Sequence, residues 1–100
     1  MKTILQRSNK LSIKVNINPI LYHYTNNQDI VEVSGDTVGH CLDALAKQFP
    51  DIEKALFDKN GKLLNYVDIY VNKESAYPEE LAKPVNDGDE IYLIFTVTGG

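Results

Sequence analysis

The chain has no tryptophan, one methionine and one cysteine among its 100 residues. Cys41, standing alone, cannot close an internal disulfide, which agrees with a reducing compartment, and it cannot build an iron-sulfur centre, which takes about four cysteines. Two histidines, His23 and His40, do not join it in the clustered spacing of a zinc site. Positive charge is also scarce. Ten Lys and Arg against 14 Asp and Glu leave a net charge of -4 and a pI near 5.0, so the clustered basic excess that nucleic acid requires is missing. No run approaches the roughly 20 apolar residues of a membrane span. The opening "MKTILQRSNK" lacks the apolar core of a signal peptide. Together these absences predict a cytoplasmic protein with neither nucleic acid nor membrane as a partner.

What is present describes an ordinary globular chain, 43% hydrophobic and 24% charged, of a size that builds one modest core. A polar lead over residues 1–11, one folded domain over 12–97 and a tail over 98–100 are the expected divisions. "LSIKVNIN" alternates, with Ile13, Val15 and Ile17 on one side, which is the period of a half-buried strand. "NPILYHYTNNQ" reads as a connection to "DIVEVSG", where Val31 and Val33 flank Glu32 in a second strand paired hairpin-like with the first. At "SGDTVGHCLDALAKQFP" the period becomes helical. Thr37 or Asp36 is a suitable N-cap, Val38, Leu42, Leu45, Ala46 and Phe49 form one apolar stripe, and Pro50 stops it. One more helical turn is expected before the turn signal "KNG". "YVDIYVN" alternates with Val67, Ile69 and Val71 inward, and "KESAYPEELAKPVNDGD" is rich in turn formers. In the last strand, "EIYLIFTVT", Ile91, Leu93 and Phe95 are inward. Strands gathered around one main helix predict an α+β fold with a mixed sheet packed on that helix, in the order of a β-grasp, or ubiquitin-like, domain.

The interior offers no catalytic constellation. His40 and Cys41 are adjacent, and neighbours on a helix point about 100° apart, so the imidazole is badly placed to deprotonate the thiol. Cys41 is read as a small, partly buried apolar group. Glu79, Glu80, Asp87 and Asp89 fall in turn-like stretches, where acids serve solvation and turn chemistry. Attention therefore moves to "YLIFTVTGG". At an average glycine usage of about 7%, two glycines at one given pair of positions occur about once in 200 chains. Gly99 and Gly100 carry no side chain, so a partner can enclose them in a passage too narrow for a Cβ. They are predicted to be mobile in the free protein, with Thr98 as the start of the tail. A terminal carboxylate is a poor electrophile until ATP converts it to an acyl-adenylate; a sulfur nucleophile can then attack it. With Ile91, Leu93 and Phe95 inward, Tyr92 and Ile94 project from the opposite face near Tyr70 and Tyr66, a patch expected either to dock a partner or simply to stabilise the sheet.

These residues resemble a family. "VNDGDEIYLIFTVTGG" is similar to the ending of the MoaD and ThiS ubiquitin-like sulfur carriers, in which an acidic turn leads into the last strand and a diglycine. "SGDTVG", "GKLLNYVDIYVN" and this ending together resemble the CysO-type carriers of cysteine biosynthesis, over about residues 12 to 100. The resemblance implies a protein substrate with no bound cofactor, not an enzyme, and a monomer when free. Its partners would be a ubiquitin-activator-like adenylating enzyme using ATP, a sulfur-accepting synthase carrying PLP, and a metallohydrolase. Gly100 would become an adenylate and then a thiocarboxylate, donating sulfur toward cysteine or a homocysteine-type amino acid. Molybdopterin or thiazole synthesis, or attachment to lysines as a modifier, stay open as alternatives, as does trimming of a longer precursor.

Overall fold

The computed structural model describes residues 11–96. Five strands, β1 (Ser12–Asn16), β2 (Ile30–Ser34), β3 (Val67–Val71), β4 (Glu74–Ser75) and β5 (Glu90–Phe95), form one sheet in the order β2-β1-β5-β3-β4. β1 and β5 are parallel, and every other pairing is antiparallel. The helix α1 (Val38–Gln48) packs on one face, and a short α2 (Ile52–Leu56) follows it. This is the β-grasp arrangement that the element order predicts.

Alternation decides the faces. Ile13 and Val15 on β1, Val31 and Val33 on β2, Val67, Ile69 and Val71 on β3, and Ile91 and Leu93 on β5 all point into the core. α1 closes that core with Val38, Cys41, Leu42 and Leu45, each wholly buried. Burying one leucine of this kind contributes about 1.5–3 kcal/mol. The Thr37 hydroxyl starts the helix by accepting from the His40 N–H at 3.1 Å, and Phe49 ends it beside Pro50. Gly35, just before the helix, permits a close approach: a Cβ there would lie 2.9 Å from the Cys41 backbone nitrogen.

Three details differ from the sequence expectation. Cys41 is fully rather than partly buried, because it lies three residues after Val38 and four before Leu45, at the centre of the stripe; Ala46 and Phe49 sit at its margin. The connection after β1 contains a 3-10 turn over Pro19–Tyr24, opened by Asn18 Oδ1, which accepts from the Ile20 N–H at 3.0 Å, and anchored by buried Leu21. The turn-rich segment before β5 holds both β4 and a second 3-10 turn over Glu80–Ala82.

Candidate functional site

The acidic turn "NDGD" ties the start of β5 to the start of β1. Asp87 Oδ1 accepts from the Ser12 N–H at 2.7 Å, and the Gly88 N–H donates to the Ser12 carbonyl at 2.9 Å. Gly88 has φ of +89°, a conformation that L side chains rarely adopt. Asp89 closes the turn by accepting from the Asn86 N–H at 2.8 Å and the Asn72 side-chain amide at 3.1 Å. These bonds start β5 in register between β1 and β3, which makes the last strand the middle one of the sheet. Near its far end the Asn18 side chain donates to the Leu93 carbonyl at 3.3 Å. The strand stays paired up to Thr96, whose N–H donates to the Tyr66 carbonyl at 2.9 Å. The expectations for Thr98, Gly99 and Gly100 lie outside the described residues. Their point of departure does not: four residues after Thr96 span at most about 14 Å when extended.

On the outer face, Tyr92 stands directly across from Tyr70, and Ile94 across from Asp68. Tyr70, Tyr92 and Ile94 join Asn72 and Lys73 around an open, mainly apolar hollow of about 390 Å³. Tyr70 and Ile94 remain 37% and 39% exposed, enough apolar surface to be covered by a partner. Tyr66 is placed elsewhere. Its ring packs on Phe95 with centroids 6.1 Å apart, because the chain turns at residues 65 and 66 before β3 begins and the alternation has not yet started.

One anchoring group escapes a sequence reading. Glu90 Oε1 accepts from the Tyr92 hydroxyl at 3.0 Å and from the Asn16 amide at 3.1 Å, so the Tyr92 ring is held from below by β1. These two bonds, Asn16 first, hold the Glu90 carboxyl below the usual glutamate range, and the same contact with Glu90 raises the Tyr92 phenol. The alternation Glu90, Tyr92, Ile94 puts Glu90 on the right face, but Asn16 is 74 residues away and only the sheet register joins them. Lys73 was also missed, since it lies in the tight connection between β3 and β4.

His40 and Cys41 do not combine. The His40 imidazole Nδ1 lies 2.6 Å from the Asp36 carboxylate on the exposed side, and this contact lowers the Asp36 carboxyl. The Cys41 thiol lies inside, where burial pushes it up to about 11. Among the described residues, no helix is long and apolar enough to cross a membrane.

Comparison with known proteins fits this geometry. The ThiS family model matches residues 15–100. Sulfur carrier protein CysO of Mycobacterium tuberculosis is 36% identical over 93 residues, covering 90% of this chain and 100% of its own length. Its crystal structure superposes with a TM-score of 0.78 at 35% identity, over 85% of this chain and 99% of that one. A chain of the Amycolatopsis orientalis BexX/CysO complex gives 0.78 at 32% identity, over 88% and 99%. Small archaeal modifier protein 1 of Haloferax volcanii is 38% identical over 71 residues, 70% of this chain and 78% of its own. With a sheet built around its last strand, and with likeness to CysO running the whole length of that carrier, this chain belongs to the ThiS family of small sulfur carriers and ubiquitin-like modifiers.

Proposed function

We propose that this chain carries sulfur as a thiocarboxylate on Gly100 for the synthesis of cysteine or a homocysteine-type amino acid. The observation that carries the reading is the full-length match to CysO, with the family model running to residue 100. A partner enzyme condenses the Gly100 carboxylate with ATP, releasing pyrophosphate and leaving an acyl-adenylate. A sulfur donor then displaces AMP, and the terminal carboxylate has exchanged one oxygen for sulfur. The thioacid is ionised at neutral pH and nucleophilic, and its tether keeps it from diffusing away as free sulfide would. In the amino-acid route the thiocarboxylate sulfur displaces the leaving group of an activated serine or homoserine on a PLP-dependent synthase. A shift of the acyl group from sulfur to nitrogen leaves the new residue amide-linked after Gly100, and a metallohydrolase releases it.

The activating enzyme is proposed to dock on the hollow of Tyr70, Tyr92 and Ile94. Supporting this are its apolar surface and its position on the strand that leads to the tail. A second reading, attachment of Gly100 to lysines of other proteins, is favoured by the 38% identity to small archaeal modifier protein 1. The test is intact mass after incubation with ATP, a sulfur source and the activating enzyme encoded in the same genome. An oxygen-to-sulfur exchange confined to the C-terminal peptide supports the carrier; an unchanged mass with an active partner refutes it.

A further inference from the structure

The apolar hollow of Tyr70, Tyr92 and Ile94 carries one charged residue in its lining, Lys73. The turn that presents Lys73 is fixed to β5. Asn72, at φ of +57°, donates its N–H to the Glu90 carbonyl at 2.7 Å, and its Oδ1 accepts from the Glu90 N–H at 3.0 Å. Its side-chain amide also donates to Asp89 Oδ1 at 3.1 Å. Three hydrogen bonds at one asparagine set where the next residue stands, so the cation belongs to a defined end of the hollow. Asp68 marks the other end. It lies exposed across from Ile94, one alternation before Tyr70, and about 13 Å of strand separates it from Asn72. Thr96, where the strand ends, bonds to Tyr66, so Asp68 is at the tail end and Lys73 at the far end. Neither charge is answered within the chain: among the described residues, the one ion pair is that of His40 with Asp36. The nearby carboxylates are engaged elsewhere. Glu90 accepts from Asn16 and Tyr92, Asp89 accepts from Asn86 and Asn72, and Glu74 lines the adjoining polar hollow with Lys83 and Asn86 rather than this one.

Building on the docking reading above, we propose that the activating enzyme fills this hollow with an apolar side chain flanked by a carboxylate that meets Lys73 and a basic group that meets Asp68. Opposite charges at the two ends of an apolar hollow fix direction as well as place. An enzyme surface turned end for end would set its carboxylate against Asp68 and its base against Lys73, and like charges so placed repel. The orientation that remains points the end of β5 toward the adenylating centre, where Gly100 has to arrive. Lys14, also on the outer face, does not compete for the carboxylate, because it stands between Glu32 and Glu90 on the neighbouring strands. A second copy of this chain is a worse occupant. Its charges could pair about a twofold axis, but two concave surfaces set face to face leave the hollow unfilled, whereas tight interfaces pack like protein interiors.

The test is the KM for carrier variants in ATP–pyrophosphate exchange by the activating enzyme of the same genome, at low and at high salt, with melts to show that each variant is folded. Lys73→Glu and Asp68→Lys should each raise KM by about tenfold at low salt while kcat is kept, and the loss should shrink at high salt. Lys73→Arg, which keeps the charge, should stay near the unaltered carrier. Lys59→Glu, the same reversal in the turn after α2, should leave KM where it was. Unchanged KM in both Lys73→Glu and Asp68→Lys overturns the proposal; if Ile94→Asp still weakens binding, the docking face stands without the charge pairing, and if it does not, the docking reading falls as well. An equal effect of Lys59→Glu would mean a response to net charge and would overturn it. So would sedimentation of the free carrier as a dimer that Lys73→Glu dissociates, which would give the face to a second copy. An unaltered carrier that the enzyme does not bind overturns both readings together.

Discussion

Replacing Cys41 by serine separates the buried thiol from the tail as the carrier of sulfur. The side chain projects from α1 into the core and is wholly buried, and the substitution puts a hydroxyl where a weakly polar sulfur lay. An unbonded buried hydroxyl costs about 1–3 kcal/mol by mutational data. The helix offers a partial remedy: the Thr37 carbonyl, which already accepts from the Cys41 N–H at 3.0 Å, is one turn back and within reach of a serine hydroxyl. The lower end of the range, about 1 kcal/mol, is therefore expected, and in a chain of this size it lowers Tm by about 4–8 °C. Chemistry should not suffer. With the thiol pushed up to about 11, roughly one molecule in ten thousand holds a thiolate at pH 7, and that sulfur is enclosed. The assay is a thermal melt beside thiocarboxylate formation followed by peptide mass mapping. A destabilised variant that accepts sulfur at the wild-type rate supports the reasoning. Sulfur on the peptide containing Cys41, or loss of transfer in a folded variant, refutes it.

The parts of the fold that repeat were legible; those that depend on one long-range pairing were not. Ile13, Val15, Val31, Val33, Val67, Ile69, Val71, Ile91 and Leu93 declare their face by a two-residue period, and each is buried as that period requires. The strand β4 spans only Glu74 and Ser75, too short to show any period, and is set by pairing with Tyr70 and Val71. Phe95 keeps to the inward face, opposite buried Val67 and packed against the core, but it ends β5 and is only partly covered, with Tyr66 as a neighbour. In the candidate site, Tyr70, Tyr92 and Ile94 were visible as one outer-face group because they lie on adjacent strands. The Glu90 bond to Asn16 was hidden, since it exists only once β1 and β5 lie parallel.

The remaining expectations concern the face, the turn and the tail. Changing Ile94 to Asp should weaken the apparent affinity of the activating enzyme for the carrier while the far-ultraviolet spectrum stays unchanged, with some loss in the melt because the new carboxylate faces Asp68; equal affinity would place the docking surface elsewhere. Glu90 should titrate below the ordinary glutamate value of 4.5, and since its folded value is depressed, its contribution to stability is present above that pH and lost as pH falls through the folded midpoint. Tyr92→Phe should move that midpoint upward by carboxyl nuclear magnetic resonance; an unmoved midpoint would mean that the hydroxyl bond is not formed in solution. Asp87→Ala, which removes the acceptor of the Ser12 N–H, should cost about 1 kcal/mol in denaturant unfolding, and no loss would show that the turn does not clamp β1 to β5. The products of Gly100 distinguish the uses of the sulfur. A carrier that builds an amino acid receives that residue on its own carbonyl, whereas a carrier for another cofactor returns as the bare carboxylate and a modifier is found on lysines of other proteins. Thiocarboxylated chain given a PLP-dependent synthase and an activated serine or homoserine should therefore gain one sulfur-containing residue beyond Gly100, read by intact mass and by the C-terminal peptide. If its only change is the return of oxygen for sulfur while another precursor gains the sulfur, the amino-acid route fails and the carrier role stands without it.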